Sequence, residues 1–153
     1  MTGGSEALAR AALAGAEDAE DTTVCLVHAQ DATASDMLNS DGYLFVFPEN
    51  LAAISGVMKA FFDRCYYPCL SQIEGRPYAL IVCAGSDGTN ATAQAERIAK
   101  GWRLRKVCDS WISCTKAQTQ AAILASKTID QTDLATAKNI GALLASGISA
   151  GIF

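Results

Sequence analysis

Three short apolar runs, each separated from the next by a helix-like stretch, constrain the fold of this chain more than any other feature. They are residues 22–28 (TTVCLVH), 42–47 (GYLFVF) and 78–84 (YALIVCA). Runs of this length, rich in β-branched and aromatic residues, read as buried strands. Pro48 is placed to end the second, and a break at Gly75 and Pro77 precedes the third. A fourth strand is expected over 106–114.

The intervening stretches have helical character. Residues 5–16 are dominated by Ala, Leu, Arg and Glu behind Gly3, Gly4 and Ser5, which supply flexible backbone and a cap. Residues 34–39 suit a short helix. Residues 55–64 (SGVMKAFFDR) put Val57, Met58, Phe61 and Phe62 on one helical face and pair Lys59 with Asp63 at i, i+4 on the other. Residues 89–100 form a third strong helical pattern, 118–126 a helical or irregular connection, and 133–148 a closing helix.

Strands that alternate with helices pair in parallel through right-handed crossovers, with helices on both faces. The 153 residues suit one α/β domain. Half of them are apolar and 18% are charged, which excludes a disordered chain. No apolar run approaches the roughly 20 residues of a membrane span, and the N-terminal stretch turns acidic without a signal-like apolar segment, so a cytoplasmic location is expected. Six cysteines without a CxxC pair, and a lone His28, point to reduced thiols and no metal site. A net charge of −4 argues against a nucleic-acid surface. The cluster Arg97, Lys100, Arg103, Arg105 and Lys106 reads as a solvated helix terminus, the alternative being a contact to a nucleotide phosphate.

In open parallel sheets ligands bind beyond the carboxyl ends of the strands. Three loops qualify. Thr2, Gly3, Gly4 and Ser5 open a helix whose free N–H groups and positive dipole end suit a phosphate, although Ser5 also reads as a plain cap. Pro48, Glu49 and Asn50 could present rigid backbone and polar edges to a flat heterocycle, or form an ordinary strand-to-helix turn. Gly85, Ser86, Asp87 and Gly88 let a ligand approach the backbone closely, or make a flexible turn capped by Asp87 or Thr89.

With these residues in hand, the chain resembles the flavodoxin-like family of NAD(P)H-dependent FMN reductases over nearly its whole length. The likeness is carried by PENLAAISGVMKAFFDRCYYP and RPYALIVCAGSDGTNA, in which Pro48, Asn50, Ser55, Gly56, Lys59, Phe61 or Phe62, Asp63 and Arg64 follow the family's pattern. The resemblance implies a flavodoxin-like three-layer sandwich holding FMN at the strand ends. Thr2 to Ser5 would lie on the phosphate, Pro48 to Asn50 along the isoalloxazine, and Gly85 to Gly88 on its other edge. It also implies an oxidoreductase passing electrons from NADPH or NADH through the flavin to a small acceptor such as a quinone or free flavin, with no catalytic acid or nucleophile and a possible homodimer. A flavodoxin-like electron carrier and a cofactor-free interaction domain are the alternatives.

Two departures accompany the likeness. Relatives have a hydrophobic strand before the phosphate loop, whereas this sequence starts with Met1 inside it, so the resemblance implies an N-terminally truncated domain over 1–153 whose neighbouring strands have unpaired edges. Phe47 replaces the usual Thr or Ser, removing a donor and adding bulk at the second loop, and Leu51-Ala52 stands where an aromatic-Gly pair is common. His28 reads as a bland strand-end residue, Tyr66 and Tyr67 as packing aromatics with flavin stacking or a dimer interface as alternatives, Trp102 and Trp111 as packing residues, and Cys83 as a small core residue.

Overall fold

The computed structural model describes residues 2–153. In chain order the elements are α1 (Gly4–Ala16), α2 (Ala34–Leu38), β1 (Tyr43–Asn50), β2 (Ala53–Ile54), α3 (Gly56–Cys69), β3 (Pro77–Ala84), α4 (Thr89–Gly101), β4 (Arg105–Lys106), β5 (Trp111–Cys114), α5 (Gln120–Leu124) and α6 (Gln131–Ser149). The expected α/β sandwich is present. β1 runs parallel to β3 with Tyr43 opposite Tyr78 and Pro48 opposite Cys83, while β4 and β5 pair in parallel with successive parts of the other edge of β3.

β3 is buried along its whole length because both faces are covered. Its alternate side chains enter two cores, as the pleat requires. Tyr78, Leu80 and Val82 join Phe45, Phe47 and the buried stripe of α3 on one face. Ala79, Ile81 and Cys83 meet Leu8 and Ala12 of α1 and Ala137 and Ile140 of α6 on the other. The α3 stripe is Met58, Phe61, Phe62, Cys65 and Cys69, spaced for one helical face. Val57 is not part of it; it lies half-exposed on the flank. Phe62 packs edge-on against both Phe45 and Trp102, with ring centroids 5.3 and 5.7 Å away. The Lys59–Asp63 pair closes at 2.6 Å on the solvent side.

Three strand expectations are corrected. Residues 22–28 are not a strand: they form no regular element, belong to no sheet among the described residues, and leave Leu26 and Val27 nearly half exposed. β-branched residues favour strands by packing on a pleated surface beside a neighbour, and no ladder forms for this segment. β1 has β3 on one edge and only the two-residue β2 on the other, so most of that second edge is without a partner among the described residues. Pro48 does not end β1, which continues through it to Asn50, with Pro48 opposite Cys83 of β3. The fourth strand is split into β4 and β5. Between them the chain turns back to α4, where Lys106 Nζ and Ser110 Oγ each donate to Glu96 Oε1 at 2.7 Å.

Candidate functional site

The parallel strands bring their carboxyl ends to one side, and all three sequence-selected loops meet there. The first follows from the close approach of α1 to β3. A Cβ on Gly4 would lie 2.7 Å from Cys83 Sγ, so only glycine lets the helix start sit on the strand end. Gly3 has φ +82° with open space where its Cβ would be. The first helical bond of α1 runs from Ala7 N–H to Gly3 O, leaving the amides of Gly4, Ser5 and Glu6 without intrahelical acceptors.

Ser5 is not the cap of α1; Gly3 occupies that position and no side chain caps it. Instead Ser5 Oγ is buried with no hydrogen-bond partner among the described residues. Burial pushes the Cys83 thiol up, opposed by the adjacent Ser5 hydroxyl and by Lys127. A neutral thiol is a weak partner, so the hydroxyl is left effectively unsatisfied. A buried hydroxyl beside three amides, none with a partner among the described residues, is a combination that an anion would satisfy.

The second and third loops are tied together by three hydrogen bonds. Gly88 N–H donates to Glu49 Oε2 at 3.0 Å, Asn90 Nδ2 donates to Ala52 O, and Ile54 N–H donates to Gln94 Oε1 at 3.1 Å. The β1–β2 hairpin is thereby fixed against the start of α4. Its tip, Leu51 and Ala52, has φ +51° and +56°, the left-handed turn that a two-residue hairpin demands and that usually takes Asn and Gly. Leu51 is fully exposed there. Asn50 is also exposed, whereas Pro48 and Glu49 are partly buried.

Gly88 has φ +83°, and a Cβ on it would lie 2.6 Å from Ile112 Cγ2. Asp87 accepts from Thr89 Oγ1 and so braces the loop, but it does not cap α4, whose cap position is Gly88. Cys114 Sγ donates to Ser86 O at 3.3 Å. The amides of Gly85, Ser86 and Asp87 have no partner among the described residues, whereas that of Gly88 is taken by Glu49.

Phe47 does not crowd the site: it is 1% exposed and points into the core under α3. His28 is exposed, its Nδ1 accepting from Gln30 N–H. Tyr66 stacks on buried Trp102 with centroids 5.5 Å apart, so it packs rather than faces the loops. Trp111 donates from Nε1 to Asp133 at 3.3 Å while packing on the second core. Within the basic cluster, Arg103 pairs with Glu74, Lys106 with Glu96, and Arg105 lies over Phe153. β4 borders the start of β3, so Arg105 and Lys106 lie at the opposite end of the sheet from the three loops.

Sequence reasoning missed the segment that follows β5. Thr115 N–H and Oγ1 both donate to Ala84 O, Ala117 O lies 3.5 Å from where a Gly85 Cβ would be, and Lys127 N–H donates to Thr2 O at 2.7 Å. This segment runs along the first and third loops. Its own sequence has no strong periodicity, and the only local signal is the Thr119 cap of the short α5. Two shallow clefts lie elsewhere, one lined by Asp41, Glu74, Arg76 and Pro77 among others, the other by the outer face of α6 with Ile152 and Phe153. Neither includes a residue of the three loops.

The sequence profile of the NADPH-dependent FMN reductases matches residues 3–119. A flavodoxin of Aquifex aeolicus is 35% identical over 85 residues, 56% of this chain, and the match spans 44% of the relative's own length. Among solved structures, a WrbA-like flavodoxin from Agrobacterium tumefaciens superposes with a TM-score of 0.74 at 18% identity, covering 98% of this chain and 92% of that one. An NADPH-quinone reductase from P. pentosaceus gives 0.61 at 14% identity over 90% and 89%. These two share the flavodoxin-like fold with the chain. With the family profile matching more than half of its length, the chain belongs to the NADPH-dependent FMN reductase family.

Proposed function

We propose that the chain is a single-domain oxidoreductase that binds FMN at the carboxyl end of its sheet and passes electrons from NADPH or NADH to a small acceptor such as a quinone or free flavin. The observation that carries this reading is the buried Ser5 hydroxyl, beside the amides of Gly4, Ser5 and Glu6, all without a partner among the described residues. That donor set fits a phosphate, and Gly3 leaves it room. Family membership points the same way.

In this reading Thr2 to Ser5 hold the phosphate by backbone and hydroxyl donors. Pro48, Glu49 and Asn50 form one edge of the ring site, and Gly85, Ser86 and Asp87 offer free amides along the other. Gly88 and Glu49 act by locking those two edges together, so neither group of donors has to be organised on binding. The bound flavin supplies the hydride and electron chemistry, which leaves the protein to bind and orient.

The test is to add FMN to the full chain, measure binding by quenching of flavin fluorescence, and follow NADPH and NADH oxidation with a quinone present. FMN binding with FMN-dependent oxidation supports the proposal. Binding without oxidation makes the chain an electron carrier, and no binding makes it a cofactor-free interaction domain.

A further inference from the structure

Lys127 stands at the first loop without being used there. Its backbone N–H donates to Thr2 O, and its Cβ lies 3.4 Å from where a Gly4 Cβ would be, so the root of its side chain touches the start of α1. Its ammonium donates to the carbonyls of Ala122, Ile123 and Ala125 at 2.6, 2.9 and 2.8 Å at the end of α5. Those are neutral acceptors on an exposed turn.

Two other cations lie on this side of the sheet. Arg10 pairs with Glu6 at 2.8 Å, which also offsets the one acidic group in the first turn of α1. Lys116 lies in the loop beside Ala117 and Gly85, on the side of the third loop. The positive end of α1 and the orphan Ser5 hydroxyl therefore have one flexible cation rooted against them.

We propose that Lys127 is the charge that pairs with the phosphate of the bound nucleotide, leaving the α5 carbonyls to do so. This rests on the FMN reading above and names a residue that discriminates a phosphorylated flavin from its dephosphorylated form. Lysine suits the role because its ammonium is a point charge on a flexible four-carbon stem, able to exchange one set of acceptors for another. A charge-assisted bond to a dianion is stronger than bonds to neutral carbonyls.

The experiment titrates FMN and riboflavin into the wild type, Lys127→Met and Lys127→Arg by flavin fluorescence quenching at low and moderate salt. The expected result is a loss of FMN affinity of about tenfold in Lys127→Met, a weaker salt dependence, unchanged riboflavin affinity, and recovery in Lys127→Arg. Equal FMN affinity in wild type and Lys127→Met overturns the inference while leaving the FMN reading intact. Parallel losses for FMN and riboflavin also overturn it, since Lys127 then only holds its segment in place. A wild type that binds neither flavin overturns both.

Discussion

Replacing Gly88 with alanine tests how the second and third loops are held. The substitution forces a Cβ into φ +83°, where an L-residue costs about 1–2 kcal/mol. It also places that Cβ 2.6 Å from Ile112 Cγ2 and 3.0 Å from Ala84 Cβ, both packed where little can yield. Overpacking of this kind adds about 1–3 kcal/mol, giving about 2–5 kcal/mol in total. For a domain of this size each kcal/mol moves Tm by about 2–4 °C, so a fall of roughly 10 °C is expected. Relief of the clash would move Gly88 N–H away from Glu49, so FMN affinity should fall with stability. Gly56→Ala is the control, because its Cβ would meet nothing within 4 Å and it starts a helix; its Tm should stay level or rise slightly. Thermal and urea unfolding of the two variants provide the assay. A Gly88→Ala protein that unfolds with the wild type would refute the reasoning.

Further outcomes follow from the same structure. Ser5→Ala should stabilise the free protein by about 1 kcal/mol, because it removes a buried unsatisfied hydroxyl, while weakening FMN binding; stability and affinity that fall together contradict the orphan assignment. Phe62→Ala, which empties the contact with Phe45 and Trp102, should cost about 3–5 kcal/mol in urea unfolding. The hydrogen bond from Lys106, with that from Ser110, holds the Glu96 carboxyl below its ordinary value of 4.5. That contribution to stability is full above 4.5 and is lost as pH falls through the lower folded value, so Glu96→Gln should be more destabilising at pH 7 than at about pH 3. Exposed Cys25 should react rapidly with a thiol reagent in the folded protein, whereas Cys65, buried and pushed up to about 11, should react only on unfolding.

The parts of the fold legible in the sequence are those decided by local pattern or burial on both sides. β3 is an unbroken apolar run because helices cover both its faces, and the α3 stripe follows from i, i+3 and i+4 spacing. Residues 22–28 carry the same β-branched signal, yet strand formation depends on a neighbouring ladder that composition does not encode. Among the site residues, the glycines at 3, 4 and 88 were readable because glycine marks left-handed or crowded backbone. The link from Glu49 to Gly88 and the return of Lys127 to Thr2 were not, since each joins residues 39 or more positions apart through tertiary packing alone.

Backbone amide hydrogen exchange of the full chain, with and without FMN, tests the central claim most directly. The account predicts that FMN slows exchange at Gly3 to Glu6 and at Gly85 to Asp87, with smaller changes in the β1–β2 hairpin and none around the α6 cleft. Unchanged exchange at the first and third loops under saturating FMN, or protection confined to the α6 cleft, would contradict it.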